Sequence, residues 1–144
     1  MSTQASVGFV TVPAPHRVMV VDDSATIRDL IAVNLELEGY DVDTAEDADA
    51  CLAHLTRVFA GELPMPDIFL LDVVMPGLNG VELTRRLKAD PLTAAVPVLI
   101  VSASAQQRDF EVARAAKADG YLTKPFDPDE LIRKVAQLIA GESQ

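Results

Sequence analysis

Two periodicities alternate along this chain. RVMVV (17–21) is a short apolar run rich in β-branched residues, which predicts a strand buried on both faces. SATIRDLIAVNLELEG then reads as a helix. Ser24 is placed to cap it, Ile27, Leu30, Ile31 and Leu35 form one face, and Gly39 stops it. YDVDTA (40–45) alternates as a strand, and residues 47–60 form a second helix, ended by Gly61 and a loop with Pro64 and Pro66. DIFLL (67–71) is a third buried strand, GVELTRRLKAD (80–90) a helix halted before Pro91, and VPVLIV (96–101) a fourth strand. Ser104 and Gln107 have the spacing of a capping box for a helix through Ala118, and DGYLT (119–123) is a fifth strand. Asp127-Pro128-Asp129-Glu130 opens the last helix with a cap, a proline and first-turn acids. Its apolar face is Leu131, Ile132, Val135, Leu138 and Ile139.

Strands alternating with helices, and buried on both faces, predict an α/β fold around a parallel sheet with right-handed crossovers. The domain is expected over 16–141, with residues 1–15 as a flexible N-terminal tail and 142–144 as a short C-terminal end. Val7, Phe9 and Val10 give that tail an alternative use as an edge strand or a partner contact. There is no internal repeat.

Composition narrows the function. A formal net charge of −10 over 144 residues argues against direct nucleic-acid binding, which requires cations to neutralise phosphates. No apolar run has the length of a membrane helix, and the first basic residue is Arg17, so the start lacks a signal peptide's positive flank. A cytoplasmic protein without a membrane partner is expected. The single cysteine, Cys51, excludes an internal disulfide. It shares helical spacing with Ala48, Leu52 and Leu55 and reads as a small buried hydrophobe. His16 and His54 do not make a metal set.

The chemistry lies just past the strands. In IFLLDVVMPGLNG (68–80) an apolar run delivers Asp72 to a loop that continues through Met-Pro, a glycine and an Asn-Gly turn. Asp22 and Asp23 follow the first strand, Ser102 the fourth and Lys124 the fifth. In a parallel sheet all of these reach the carboxyl edge, where ligands bind open α/β folds. Three clustered carboxylates require a cation or a proton, and oxygen ligands without thiolate or imidazole select a hard cation such as Mg²⁺. A metal, an ammonium and a hydroxyl around one isolated carboxylate are the parts needed for phosphoryl transfer to Asp72. Singly, each piece is ordinary: an Asp-Asp pair is usually a solvated loop, and a lone lysine usually sits on the surface.

Together VMVVDDSATIR, IFLLDVVMPGLNGVEL, PVLIVSAS and GYLTKPF resemble the receiver domain of bacterial two-component response regulators, stand-alone chemotaxis regulators among them, over residues 17 to about 140. The resemblance implies a flavodoxin-like doubly wound sheet of five parallel strands, order 2-1-3-4-5, with five helices. It implies a phosphoryl group passed from a histidine kinase or histidine phosphotransfer protein to Asp72 with Mg²⁺, for which Mn²⁺ substitutes, and then a downstream target protein. Asp22 and Asp23 match the metal-binding acids, with Asp23 the more direct ligand, and Val74 would offer only its backbone carbonyl. Ser102 matches the phosphoryl-binding hydroxyl, Lys124 the family lysine and Tyr121 the switch aromatic. The Lys124–Pro125 bond is expected to be cis. On phosphorylation Ser102 would move toward the phosphoryl group, Tyr121 would enter the vacated space, and the face around it would change shape. Ser102 stands where threonine is commoner. Val74 is apolar where many receivers are polar, which leaves the phosphoryl lifetime open.

The principal expectation is a signalling module, not an enzyme acting on external substrates, and one without room for an output domain. A receiver cut from a longer regulator is the alternative. A Mg²⁺-dependent phosphatase working through an aspartyl-phosphate is less favoured: such enzymes usually carry a second acid where Val74 stands. A degenerate, phosphate-independent receiver is disfavoured by the complete acid set.

Overall fold

The computed structural model describes residues 15–141; the expectations for the N-terminal segment through residue 14 and for 142–144 fall outside them. Five strands, β1 (Arg17–Val21), β2 (Asp41–Ala45), β3 (Ile68–Leu71), β4 (Val98–Ser102) and β5 (Gly120–Thr123), alternate with five helices. The helices are α1 (Ala25–Leu37), α2 (Ala48–Phe59), α3 (Gly80–Ala89), α4 (Gln107–Ala115) and α5 (Pro128–Ile139). All strand pairs are parallel, in the order β2-β1-β3-β4-β5. This is the expected doubly wound, flavodoxin-like architecture.

The sheet separates two apolar layers. Met19, Val21, Phe69, Leu71, Val98 and Ile100 point to one side, against α2 and α3 residues such as Cys51, Leu55, Leu83 and Leu87. Val18, Val20, Ile68, Leu70, Leu99 and Val101 point to the other, against Ile31 and Leu35 of α1 and Leu131, Val135 and Leu138 of α5. Every residue of β3 is buried, as the unbroken apolar run requires. Cys51 is fully buried, and burial pushes its thiol up to about 12, so it behaves as a core hydrophobe.

Three local expectations are corrected. Leu30, expected on the buried face of α1, is 45 % exposed. It stands one residue, about 100° of helix rotation, from Ile31, and only a narrow arc of α1 reaches the sheet. Ser104 does not cap α4. The cap position is Gln106, which makes no side-chain capping bond, and the helix ends at Ala115 instead of continuing to Ala118. Asn79-Gly80 is not a turn: the Asn79 side chain accepts the Glu82 N–H at 2.9 Å and caps α3, of which Gly80 is the first residue.

Candidate functional site

Parallel strands ending at one edge bring together the residues singled out by the sequence. Asp22 leaves β1 and is 2 % exposed; Asp72 leaves β3 and is 8 % exposed; Asp23 is exposed. Carboxylate oxygens of Asp22, Asp23 and Asp72 lie within 4.8 Å of one another. Lys124, following β5, reaches across: its Nζ is 2.8 Å from Asp22 Oδ2 and 3.4 Å from Asp72 Oδ2. Three carboxylates against one ammonium leave two negative charges, which suits a divalent cation. The donor set is all oxygen, which suits a hard one.

The backbone holds this cluster open. The Asp72 N–H continues the ladder by donating to the Val21 carbonyl at 2.9 Å. Asp22 Oδ1 accepts the Ser24 N–H at 2.9 Å, while Ser24 Oγ caps α1 by accepting the Ile27 N–H at 3.3 Å. Arg28, absent from the sequence-based set, donates from Nη1 to the Asp22 carbonyl at 2.7 Å and fixes the loop after β1.

Charge follows geometry. Burial raises the Asp72 carboxyl above its ordinary range, and the neighbouring Asp22 raises it further. The Lys124 ammonium and the Val74 N–H, 3.4 Å from Oδ1, offset this only in part. Burial pulls the Lys124 ammonium down, but its hydrogen bond to Asp22 and the charges of Asp72 and Asp22 outweigh that and raise it overall. Lys124 is therefore held as a cation beside a carboxylate that is poor at carrying its own charge. Such a carboxylate gains from any ligand that brings positive charge to the edge.

Ser102 ends β4 at the same edge, buried, and its Oγ accepts the Ser104 N–H at 3.2 Å. Tyr121 is half-buried on β5. Its hydroxyl donates to the Ser104 carbonyl at 2.8 Å, and its ring meets Phe110 edge-on, with centroids 4.5 Å apart. The Lys124–Pro125 bond is cis, as expected. Val74, two residues past Asp72, is 75 % exposed.

Gly80 is a further contributor to the site. A Cβ on it would overlap the Asp72 carbonyl oxygen and come within 2.8 Å of the carbonyl carbon and 3.1 Å of Val73 Cα. Only a glycine lets the start of α3 pack this tightly against the Asp72 loop. The Gly80 N–H in turn donates to the Val73 carbonyl at 3.0 Å. The sequence signal was the glycine itself, read as part of a turn.

Comparison with known proteins agrees with this geometry. The response regulator receiver domain family matches residues 18–136. Over 122 residues the chain is 38 % identical to the phosphate regulon transcriptional regulatory protein PhoB of Pseudomonas aeruginosa, covering 85 % of this chain and 51 % of PhoB. It thus spans about half the length of that relative. Over 125 residues it is also 38 % identical to protein PilH of the same organism, covering 87 % of this chain and 98 % of PilH. Among solved structures, Vibrio cholerae chemotaxis protein CheY4 superposes with a TM-score of 0.76 at 29 % identity, over 88 % of this chain and 99 % of CheY4. A CheY-like receiver domain protein from Methanospirillum hungatei gives 0.77 at 28 % identity, over 88 % and 94 %. The chain belongs to the response regulator receiver domain family.

Proposed function

We propose that this receiver accepts a phosphoryl group on Asp72 from a histidine kinase or histidine phosphotransfer protein, with Mg²⁺, and that the modified domain switches its contact with a target protein. The observation that carries the reading is the convergence of Asp22, Asp23 and Asp72 within 4.8 Å, with Lys124 bonded to Asp22 and Asp72. Asp22, Asp23, Asp72 and the Val74 carbonyl would hold the metal, which supplies charge neutralisation for the phosphoryl oxygens. Asp72 is the nucleophile: a carboxylate oxygen forms the new P–O bond. The P–N bond to the donor imidazole breaks, and its electron pair returns to the ring nitrogen. Lys124 neutralises charge on the transferred group, and the Ser102 hydroxyl donates to one of its oxygens.

Tyr121 and Ser102 are proposed as the switch, joined through Ser104. A cavity of about 510 Å³ lies beside Tyr121, lined in part by Phe110, Arg114, Tyr121 and Thr123. It gives a target protein a surface whose shape depends on that connection. Receivers are signalling domains, and this chain is read as one, working in the cytoplasm. No helix among the described residues is long and apolar enough to cross a membrane.

The test is intact mass after incubation with Mg²⁺ and acetyl phosphate. Wild type is expected to gain one phosphoryl group, and neither the metal-free protein nor Asp72→Asn to gain any. An adduct in Asp72→Asn equal to that in wild type would refute the assignment.

A further inference from the structure

Ser104 lies in the loop between β4 and α4, two residues past Ser102, and all its polar groups are engaged. Its N–H donates to Ser102 Oγ at 3.2 Å, and its carbonyl accepts the Tyr121 hydroxyl at 2.8 Å. Its own hydroxyl accepts the Gln106 N–H at 3.3 Å and donates to Oδ2 of Asp109. Asp109 stands in the first turn of α4, where a carboxylate is favoured by the helix N-terminus, and its neighbour Phe110 packs on Tyr121. One loop residue thus ties the Ser102 hydroxyl to α4 through a carboxylate and to β5 through a phenol.

We propose that Asp109 is a positioning residue for phosphoryl binding: through Ser104 it holds the Ser102 hydroxyl in an arrangement that competes with the phosphoryl group. This rests on the phosphoryl-accepting reading above. With Ser104 fixed through its carbonyl and hydroxyl, its N–H holds a lone pair of Ser102 Oγ and so sets where that hydroxyl sits. For Ser102 to follow a phosphoryl group on Asp72, the Ser104 N–H must be released or the whole loop must move with it. The Asp109 bond resists both. It is charge-assisted, hence the strongest single tie among those of the Ser104 side chain. A ligand that binds the moved arrangement works against this tie, so weakening the tie raises the ligand's apparent affinity.

The experiment titrates the full chain with beryllofluoride, a phosphoryl mimic, in the presence of Mg²⁺. It follows the aromatic NMR signals of Tyr121 and compares wild type with Asp109→Ala, Asp109→Asn and Ser104→Ala. The expected result is about tenfold tighter binding of the mimic for Asp109→Ala and Ser104→Ala, the low end for one net hydrogen bond to a charged group. The two changes combined should add nothing to either alone. Asp109→Asn keeps a neutral acceptor and should fall between wild type and Asp109→Ala, with Mg²⁺ affinity in the absence of the mimic unchanged throughout. A general loosening of the fold would not give that order. Equal or weaker binding of the mimic in Asp109→Ala would overturn the role of Asp109 alone. No binding of the mimic by wild type would overturn the phosphoryl reading on which it rests.

Discussion

Asp72, the proposed phosphoacceptor, also carries a cost to the fold. Its pKa is raised in the folded protein by burial and by Asp22, so the native state holds that proton more tightly than the unfolded chain does. The stability this contributes is full below the ordinary carboxylate range and is lost as pH rises through the folded pKa. At neutral pH the ionised group therefore opposes folding. In metal-free buffer Asp72→Asn should melt at a higher temperature than wild type at pH 7. The gap should narrow as pH falls toward the carboxylate range, and it should shrink when Mg²⁺ is added, because only wild type keeps all the proposed ligands. Thermal melts with and without chelator measure this; a lower melting temperature for the metal-free variant at pH 7 would contradict it. Gly80 gives a second residue-scale test. Gly80→Ala places a methyl against the Asp72 carbonyl and should cost about 1–3 kcal/mol in denaturant unfolding, the usual range for overpacking. It should also slow phosphorylation, since the displaced backbone is the one that presents Asp72. The carboxylates, Lys124 and Ser102 were legible in the sequence because each follows or ends an apolar run; Tyr121, inside β5, was legible only through the resemblance of GYLTKPF. The roles of Gly80 and Arg28 were not, because a close approach across a loop and a backbone anchor leave no periodic signal.

At the scale of elements, most helix ends announce themselves and one does not. After α1, Gly39 takes φ +93° and lets the Tyr40 N–H reach the Leu35 carbonyl, while its own N–H reaches that of Glu36. After α4 the same pair of bonds forms, from Ala118 to Ala113 and from Lys117 to Arg114, but the left-handed residue is Lys117 at φ +72°. A lysine gives no stop signal, so the apolar pattern carried the expected helix on to Ala118. Lys117→Gly should stabilise the domain by about 0.5–1 kcal/mol, the left-handed penalty less the entropy a glycine gains in the unfolded chain. A chevron or equilibrium denaturation series would register it. The start of α4 departs from expectation for a related reason: Ser104 does bond near the helix, but to the Asp109 carboxylate and to the N–H of Gln106 ahead of α4, not to a backbone N–H within the helix. Between α3 and β4 the decisive contact is a side chain. Lys88 Nζ donates to the Val96 carbonyl at 2.9 Å, to that of Ala94 at 3.3 Å and to Asp119 Oδ2 at 2.8 Å, and Asp119 also accepts the Val98 N–H. Lys88→Met should cost about 1–3 kcal/mol, because it leaves partly buried acceptors unpaired. Nothing in the sequence separated this lysine from its solvated neighbours.

The whole molecule uses a division of labour that its chain order makes possible. Apolar runs from four segments form β1, β3, β4 and β5 of one sheet, and the parallel arrangement brings the residues that end or follow them to one edge. That is why the architecture and the site were readable together: one rhythm specifies both. The proposed path from site to surface was not readable, because it would run through Ser104, whose four bonds reach loop, helix and strand by geometry alone. The central claim is that the phosphoryl group resides on Asp72. The most direct measurement is borohydride trapping of the protein phosphorylated with Mg²⁺ and acetyl phosphate, followed by peptide mass spectrometry. Borohydride reduces an acyl phosphate to the alcohol and so converts a phosphorylated aspartate to homoserine. Homoserine at position 72, and at neither Asp22 nor Asp23, is the predicted result. Homoserine at either of those positions, or a phosphorylated protein that yields none at 72, would contradict the account.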